Sequence, residues 1–345
     1  MHLTLLIPEL LWPEPGDPLA FDGLACPSLE TWLGRSRLER SPPRPLEAIL
    51  ARQLGLTENG LAACRLQGET NAPQAADRQW FCADPVHLKF HHDRIILGDA
   101  SLLALEAAEV EALLASLNAT FPDLGRFHAP HPRRWYLEAA ADLELPPLPP
   151  LSAASGRQLG SLMPESPRFS RLMNELQMLL HDHPVNRARE ARRQPTANGL
   201  WLWGGGALAA PAATRIERLG ADDPLARGMA RHLGLISDPA PATLADWPPG
   251  PGRQALILLE HLLAPTLIED SEAWRDAMAR LERDWFAPLA AALGKSIARL
   301  DLISPTAFGV LHWEIRASDR WKLWRRTPPL AALTRQLALS PENMP

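Results

Sequence analysis

Hydrophobic positions along the chain follow two periods, and segments of the two kinds alternate. Apolar and polar residues alternate over 86–90, and this period of two predicts a strand. The mainly apolar run at 3–7 predicts a buried first strand, and the continuous apolar run at 255–259 predicts a strand that is buried on both faces of a parallel sheet. Two further extended segments are predicted at 95–97 and 308–315.

Helical periodicity predicts three long helices between these strands. The first covers 106–117, which is rich in alanine, glutamate and leucine. The second opens at Ser166-Pro167, an N-cap followed by proline at the first helical position, and is predicted to end at Pro184. The third begins near Ser271 and stops at Gly294. Strands that alternate with helices predict an α/β protein with a largely parallel sheet flanked by helices.

Residues 200–203 predict another strand, which ends abruptly in three glycines. Gly204, Gly205 and Gly206 accept positive φ angles and let a backbone approach a ligand closely. A tight turn beneath a packed strand is the alternative interpretation of the same residues.

Composition narrows the function classes. The chain has 345 residues, of which 46% are hydrophobic, and a net charge of −5, which gives no general attraction to nucleic acid or anionic lipid. Its three cysteines are far apart and form no CxxC pair, which argues against a structural zinc site or a disulfide framework. Without a recognisable leader or a long apolar segment, we expect a cytoplasmic protein with no membrane span.

The densest polar cluster, 181–198, lies directly before the glycine turn. Arg187 and its neighbours Arg189, Arg192 and Arg193 would gather guanidinium groups beside exposed backbone N–H groups. Planar guanidinium forks bind phosphate or carboxylate in a bidentate manner, so the cluster predicts an anion site. A solvated arginine face is the alternative.

The histidines do not predict a metal site. His91 and His92 are adjacent on a predicted strand and would point to opposite faces. His181 and His183 are two residues apart, roughly 200° around a helix. Neither pair is arranged to chelate an ion, and no HExxH motif occurs.

The segment WKLWRR, 321–326, mixes aromatic and basic side chains. Such side chains stack on nucleotides in some proteins. We favour the other interpretation, in which the segment caps a sheet edge, and do not expect a nucleic-acid partner.

Three motifs in the middle of the chain resemble a known family when taken together. HPVNR at 183–187, PTAN at 195–198 and LWGGG at 202–206 occur in the order in which archaeal-type cofactor-independent phosphoglycerate mutases have HPVN, an arginine, LPAN and L-x-RGAG. Residues 83–90 are similar to that family's D-V-A-F-R segment, with Lys89 at the arginine. Among family members, the chain most resembles bacterial RpfE-type regulatory proteins.

This resemblance implies an alkaline-phosphatase-like α/β domain, split in sequence into 1–75 and 212–345, with an inserted substrate-recognising α/β domain at 76–211. The ligand-binding residues carried over by the resemblance are Asp84, Lys89, His183, Asn186, Arg187, Asn198, Gly204, Gly205 and Gly206.

The residues that would carry the family's catalysis differ in this chain. Family members bind two divalent metals and relay the phosphoryl group through a serine. This chain has Pro8-Glu9-Leu10 where the family has Asp-Gly, and Leu46 at the serine. Leu263 and Leu267 are the candidates at the family's D-x-x-x-H pair. The family's Asp-His dipeptide is also missing after residues 297–310, where only His312 and Asp319 are nearby. Alkyl groups have no lone pairs for a metal, and leucine cannot carry a phosphoryl group.

These departures predict a non-catalytic regulatory or sensor protein without a cofactor. It would bind a small phosphorylated or anionic ligand, or a protein partner. The alternative is an active mutase or phosphoesterase whose divalent-metal site is rebuilt from other acids, for which the candidates are Glu9, Asp22, Glu260, Glu269 and Asp270. At the arginine of RGAG the chain has Trp203, which would reshape the pocket for an apolar ligand or seal it.

Overall fold

The computed structural model describes residues 1–73, 78–91, 94–98, 103–154, 160, 162–208, 210, 213–247 and 253–339. Both domain boundaries expected from the sequence, at 75/76 and 211/212, lie outside these residues and stay predictions. His92 also lies outside them.

The described part of the chain contains twelve strands and twelve α-helices. The strands are β1 (His2–Leu6), β2 (Arg37–Ser41), β3 (Trp80–His91), β4 (Arg94–Gly98), β5 (Gly125–His131), β6 (Arg134–Ala139), β7 (Gly199–Trp203), β8 (Arg218–Gly220), β9 (Ile236–Asp238), β10 (Gln254–Leu258), β11 (Arg299–Thr306) and β12 (Gly309–Arg316). The helices are α1 (Pro27–Arg35), α2 (Leu46–Gln53), α3 (Leu61–Gly68), α4 (Ala107–Thr120), α5 (Leu151–Ala154), α6 (Pro167–His181), α7 (Pro184–Ala191), α8 (Pro224–Leu233), α9 (Leu263–Leu267), α10 (Ser271–Leu281), α11 (Ala287–Ala292) and α12 (Leu330–Leu339).

These elements form two compact units, each discontinuous in sequence. The first contains Met1–Ile49, Ala213–Asp222 and Leu233–Pro345, and the second contains Leu50–Ala212 and Asp223–His232.

A seven-stranded sheet in the order β2-β12-β11-β1-β10-β8-β9 forms the first unit. The strands from β11 to β9 are parallel, whereas β12 and β2 each pair antiparallel with a neighbour. The apolar runs at 3–7 and 255–259 are confirmed as β1 and β10, which lie side by side in the centre. The fold is therefore mixed α/β with a mostly parallel central sheet flanked by helices, as the alternating pattern predicts.

The helix predicted from Ser271 is confirmed, and its middle makes an unexpected contact. α10 and α11 are joined by a π-helical turn, Glu282–Phe286, whose Glu282 side chain accepts hydrogen bonds from the N–H groups of Ser28 (2.9 Å) and Leu29 (3.2 Å). These N–H groups lie in the first turn of α1 and have no partner within that helix. A carboxylate from a distant helix thus supplies the N-terminal cap of α1.

The second unit is built on a five-stranded antiparallel sheet. Its path is β4-β3-β6-β5, and β7 pairs with β3. β3 is twelve residues long and pairs in turn with β6, β7 and β4, so it includes the predicted strand at 86–90. β7 contains residues 200–203, and Gly204 (φ 70°) and Gly206 (φ 108°) follow it, as the glycine run predicts.

The segment after Ser166 forms two helices, which corrects one sequence expectation. Ser166 caps α6 as predicted, since its Oγ accepts a hydrogen bond from Phe169 N (3.3 Å). α6 ends at His181, however, and Pro184 begins α7. Proline suits the first helical position because its missing N–H would have no partner there. Residues 184–191 of the polar cluster are therefore helical.

Among the described residues, no helix combines the length and apolar character needed to cross a bilayer.

Candidate functional site

Two buried, oppositely charged side chains occupy the centre of the second unit. Arg65 lies on α3 and Asp84 on β3. Arg65 Nη1 is 2.8 Å from Asp84 Oδ2, and Nη2 is 2.7 Å from Oδ1. The two side chains are only 8% and 2% exposed. This bidentate pair holds α3 against the sheet.

Aromatic residues complete the coordination of this pair. The Trp203 indole N–H donates to Asp84 Oδ2 (2.8 Å), and the Trp135 backbone N–H donates to Oδ1 (3.3 Å). Arg65 Nε donates to the Tyr136 hydroxyl (3.0 Å). The Arg65 guanidinium also lies 4.7 Å from the centre of the Tyr136 ring and 5.2 Å from that of Trp203, within cation–π range.

A second ion pair extends the same network. Arg134 donates to Glu69 through Nε (2.6 Å) and Nη2 (2.9 Å), and the Tyr136 hydroxyl donates to Glu69 Oε1 (2.9 Å). Burial alone would raise the pKa of Glu69, but the hydrogen bonds and charge of Arg134 and the Tyr136 hydroxyl outweigh it, so the pKa is lowered. Burial raises the pKa of Tyr136 above its ordinary value. Glu69 is thus held ionised and Tyr136 neutral.

The network joins α3, β3, β6 and β7, and its charges are balanced by partners inside the protein. Asp84, expected to be a neighbour of a ligand, lies within it and is 1% exposed. Its immediate role is structural, because loss of either charge would leave the other buried without its partner. Direct ligand contact by Asp84 stays a prediction.

The glycine turn after β7 lies against the beginning of α3. Gly204 O accepts a hydrogen bond from Ala62 N (2.8 Å), and Gly205 O accepts one from Gly60 N (3.1 Å). A Cβ at Gly205 would lie 2.0 Å from the Phe81 ring. The turn therefore caps the N-terminal N–H groups of α3, which matches the packed-turn interpretation. Whether Gly204, Gly205 and Gly206 also contact a ligand stays a prediction.

Two predicted ligand residues, His183 and Asn186, lie at the N-terminal end of α7. His183 caps the helix, since its Nδ1 accepts a hydrogen bond from Val185 N (3.2 Å), and its Nε2 is 3.0 Å from Ser116 Oγ. Burial lowers the pKa of His183, so it is neutral near pH 7. Asn186 is fully buried, and its amide exchanges hydrogen bonds with both the N–H (3.0 Å) and the carbonyl (2.9 Å) of Ala197.

Asn198 makes an equivalent bridge to β3. Its Oδ1 accepts a hydrogen bond from Leu88 N (2.7 Å), and its Nδ2 donates to Leu88 O (3.0 Å). A side-chain amide here imitates the backbone pairing of a neighbouring strand. The local role of Asn198 is therefore to extend the edge of the sheet.

The arginines of the polar cluster divide into buried and exposed members. Arg189 is 2% exposed and pairs with Glu109 Oε2 at 2.7 Å. Arg187 is exposed, with its Nη2 at 3.5 Å from Asp182 Oδ1. Lys89, on β3, is also exposed. Of the predicted ligand residues, Arg187 and Lys89 are therefore the two cations that solvent reaches.

A second candidate location is the carboxyl edge of the parallel strands in the first unit, where α/β proteins generally bind ligands. Glu9 follows β1 with a positive φ of 58°, a conformation that is strained for a residue with a Cβ. Its N–H donates to the carbonyl of Pro305 (2.9 Å), near the C-terminal end of β11, and its own carbonyl accepts a hydrogen bond from Trp274 Nε1 (2.9 Å). Burial raises the pKa of Glu9 to about 7.

The raised pKa of Glu9 predicts how stability depends on pH. Between its ordinary value of 4.5 and about 7 the folded protein keeps a proton that the unfolded chain releases, so the free energy of unfolding falls as pH rises through this window. Between pH 5 and pH 8 the free energy of unfolding of Glu9→Gln is expected to fall by about 2 to 3 kcal/mol less than that of wild type. Urea unfolding at the two pH values measures it. Glu14→Gln, at an exposed glutamate, should keep the wild-type dependence; equal curves for wild type and Glu9→Gln would contradict the assignment.

The positions matched to the family's metal ligands and to its serine do not fit two divalent ions or a phosphoryl group. Leu10 is fully buried, and Leu46, Leu263 and Leu267 present hydrocarbon. Among the residues that the structure describes, no three His, Cys, Asp or Glu side chains come together as a metal site.

The candidate replacement ligand Asp270 and the two remaining polar residues, Asp319 and His312, have other contacts. Asp270 caps α10 through Ala273 N (2.9 Å), and Asp319 accepts hydrogen bonds from Arg316 N (2.8 Å) and approaches Lys322 Nζ (2.6 Å). His312 Nε2 lies 3.3 Å from Asp301 Oδ1. Burial alone would raise the pKa of Asp301, but His312, His2 and Arg299 lower it to about 2.

Sequence reasoning did not single out Arg65, Glu69 or Tyr136, although two signals were present. Arg65 interrupts the otherwise apolar stretch LAACRL, and Tyr136 is the single tyrosine of the chain. Neither signal names a partner, because 71 residues separate Arg65 from Tyr136.

Neither a protein-family model nor a curated protein sequence matches this chain. Some solved structures are similar to this chain. The PH0037 protein from Pyrococcus horikoshii is similar at 12% identity and a TM-score of 0.53, over 96% of this chain and 92% of that one. A cofactor-independent phosphoglycerate mutase from Thermoplasma acidophilum DSM 1728 is similar at 15% identity and a TM-score of 0.44, over 98% and 99% of the two chains. At such identities the similarity concerns the fold alone, and the argument for it rests on the first of these structures.

Proposed function

We propose that this chain is a non-catalytic regulatory or sensor protein of the phosphoglycerate-mutase-like type, related to RpfE-type regulators. It binds a small phosphorylated or anionic ligand, or a protein partner. The mixed α/β fold and the ordered motifs at 183–187, 195–198 and 202–206 support this proposal.

The observation that carries the proposal is the contact made by Trp203. Where the resembled family has an arginine, this chain has an indole that is 3% exposed and donates its N–H to Asp84 Oδ2 at 2.8 Å. Phosphoryl transfer depends on cations and oriented donors that face the developing negative charge. Here the guanidinium is replaced by an apolar ring whose one donor faces an internal carboxylate.

An assay for catalysis tests the proposal. Purified protein, supplied with Mn²⁺ or Mg²⁺, is incubated with 3-phosphoglycerate, and 2-phosphoglycerate and free phosphate are measured. No product above the buffer blank is expected, while an active phosphoglycerate mutase in the same buffer shows that the assay works. Stoichiometric bound metal together with turnover that a chelator abolishes would overturn the proposal.

Isothermal titration tests the anionic ligand. The probes are 3-phosphoglycerate and inorganic phosphate, and Arg187→Ala is expected to weaken any binding because it removes an exposed cation of the predicted site. Arg168→Ala, at an exposed arginine on α6, is the matched control and should leave the titration unchanged. Binding that Arg187→Ala does not alter would remove the site.

Glu9 favours a second candidate function, a phosphoesterase with a rearranged site. A carboxyl with a pKa of about 7 can exchange protons at neutral pH, and strained backbone is common at catalytic positions. In that case hydrolysis of a phosphoester would follow a pH profile that Glu9→Gln abolishes and Glu14→Gln preserves. Hydrolysis that is absent, or equal in the two variants, argues against this candidate.

A further inference from the structure

Tryptophan is distributed unevenly between the interior and the surface of this protein. All twelve tryptophans lie in the described ranges, and ten of them are less than 9% exposed. The other two, Trp321 and Trp324, are 65% and 79% exposed, and Leu323 between them is 72% exposed. Large aromatic side chains that gather on the surface in this way are typical of binding sites.

The backbone that carries these side chains is held in place. Arg35 Nη1 donates to Arg320 O (2.7 Å), Arg325 Nη1 donates to Ser36 O (3.1 Å), and Arg325 N donates to Lys322 O (3.0 Å). A Cβ at Gly34 would lie only 2.5 Å from Arg326 O, so the segment packs closely on the end of α1. Ser36 lies directly before the edge strand β2, and whether the segment also caps that sheet edge stays a prediction. Because the backbone is fixed, little conformational entropy is lost when the exposed side chains bind.

A groove of about 240 Å³ lies next to this segment in the first unit. Trp32 of α1 and Leu293 at the end of α11 are among its apolar lining residues, and Arg316, Asp319 and Arg320 are among the polar ones. Its volume is smaller than the 300 to 1,000 Å³ or so typical of pockets for drug-sized ligands. It therefore suits one or two bulky side chains.

Segment 316–326 carries a net charge opposite in sign to that of the whole protein. Residues 316–326 contain five cationic side chains and one carboxylate, in a chain with a net charge of −5. The carboxylate, Asp319, is 5% exposed and lies 2.6 Å from Lys322 Nζ. Arg320 and Arg326 are exposed, and in the part of the chain that the structure describes neither has a carboxylate at ion-pair distance. The surface thus presents unneutralised positive charge beside apolar area.

We propose that residues 316–326 and the adjacent groove form a docking surface, here called the tryptophan patch, for an acidic segment of a protein partner. An apolar side chain of that segment enters the groove, its neighbours pack on Trp321 and Trp324, and its carboxylates face Arg320 and Arg326. The inference rests on the binding part of the proposed function and names the chemistry of its partner.

The groove favours an acidic polypeptide over a nucleic acid or an anionic bilayer, the two other polyanions that could bind such a surface. A polypeptide supplies a projecting apolar side chain and carboxylates together, which match both features of the patch. A single-stranded nucleic acid would use the cations and the indoles, and an anionic bilayer would use them too, but neither needs a concave apolar groove of this size.

Selection from a displayed library of random 16-residue peptides tests the proposal. Wild-type protein is the bait, and peptides that also bind the double variant Trp321→Ala/Trp324→Ala are removed. We expect the remaining peptides to be rich in Asp and Glu around one bulky apolar residue. No enrichment, or enrichment of neutral or basic peptides, would overturn the proposal.

The best enriched peptide is then synthesised with a fluorescent label and titrated by anisotropy. Trp324→Ala is expected to weaken binding at least tenfold. Arg320→Glu is also expected to weaken binding relative to wild type, and this difference in affinity should grow as the salt concentration falls. Met178→Ala, at a methionine that is 70% exposed on α6, is the matched control and should bind as wild type does. Equal affinity of Trp324→Ala and wild type would overturn the proposal.

Parallel titrations with vesicles of phosphatidylserine and phosphatidylcholine and with oligo(dT) identify the other occupants. Tighter binding to either of them than to the acidic peptide would overturn the proposal in favour of a membrane or a nucleic acid. The catalytic assay on the same preparation keeps the two conclusions apart, since metal-dependent turnover would refute the non-catalytic function while leaving the peptide result intact.

Discussion

Trp203→Arg, which restores the guanidinium of the resembled family, is expected to lower the free energy of unfolding by about 3 to 5 kcal/mol or more. Position 203 is 3% exposed, and its indole ring centre lies 5.2 Å from the Arg65 guanidinium. A second cation would face Arg65 across this distance, with Asp84 as the shared carboxylate. Burial of a charge that lacks its own partner has a cost of this size.

Denaturant unfolding followed by circular dichroism measures the effect. Trp203→Phe keeps an aromatic ring but removes the donor to Asp84, so it should cost only about 1 to 3 kcal/mol. The same change to arginine at Trp324, which is 79% exposed, should change stability by less than about 0.5 kcal/mol. A Trp203→Arg protein as stable as wild type would show that this position accommodates a guanidinium, which would contradict the role assigned to Trp203.

Asp84→Asn is expected to lower the free energy of unfolding by about 3 to 5 kcal/mol. Asp84 accepts four hydrogen bonds on its two oxygens, from two nitrogens of Arg65, from Trp203 Nε1 and from Trp135 N. An asparagine of nearly the same shape offers one acceptor oxygen and adds an N–H₂ donor where donors already converge. The Arg65 charge would also lose its counter-ion while 8% exposed.

The same substitution at Asp182 is the matched control. Its side chain is 75% exposed, and its ion pair with Arg187 spans 3.5 Å, so Asp182→Asn should cost less than about 1 kcal/mol. Arg65→Leu combined with Asp84→Leu should be less destabilising than the sum of the two single changes, since no unpaired charge remains. Additive losses would indicate that Arg65 and Asp84 are not coupled.

Both results would bear on function as well as on stability. If replacing Asp84 or Trp203 destabilises the second unit as their contacts with each other and with Arg65 indicate, the main role of these residues is to stabilise the fold. Exposed cations, Arg187 and Lys89 near the predicted site and the arginines of the tryptophan patch, are then left for recognition of an anion.

Local signals were sufficient for the elements with the clearest patterns. Period-two alternation located the strand within β3, apolar runs located β1 and β10, and Ser166-Pro167 located the start of α6. Each of these features depends on residues that are neighbours in sequence, so it can be read without knowledge of the partner elements. Pro184 was misassigned because proline both ends a helix and suits the first position of the next.

The candidate site could not be assigned in the same way. The residues of HPVNR and LWGGG were recognised as a group, but whether their polar atoms face a ligand or one another depends on contacts between distant segments. Asn186 meets Ala197, and Asp84 meets Trp203, which is 119 residues further along the chain. The exposure of a side chain also depends on contacts between distant segments, so the sequence does not distinguish buried Trp203 from exposed Trp324.

The amino-acid sequence by itself thus determined the fold class and the strands and helices near its clearest patterns. It also places leucines at positions that the resemblance matches to catalytic residues. The tertiary structure decided which charges are neutralised inside the protein and which remain at its surface. The physical reason is that periodicity and residue chemistry are local properties, whereas burial and pairing are set by the segments that folding brings together.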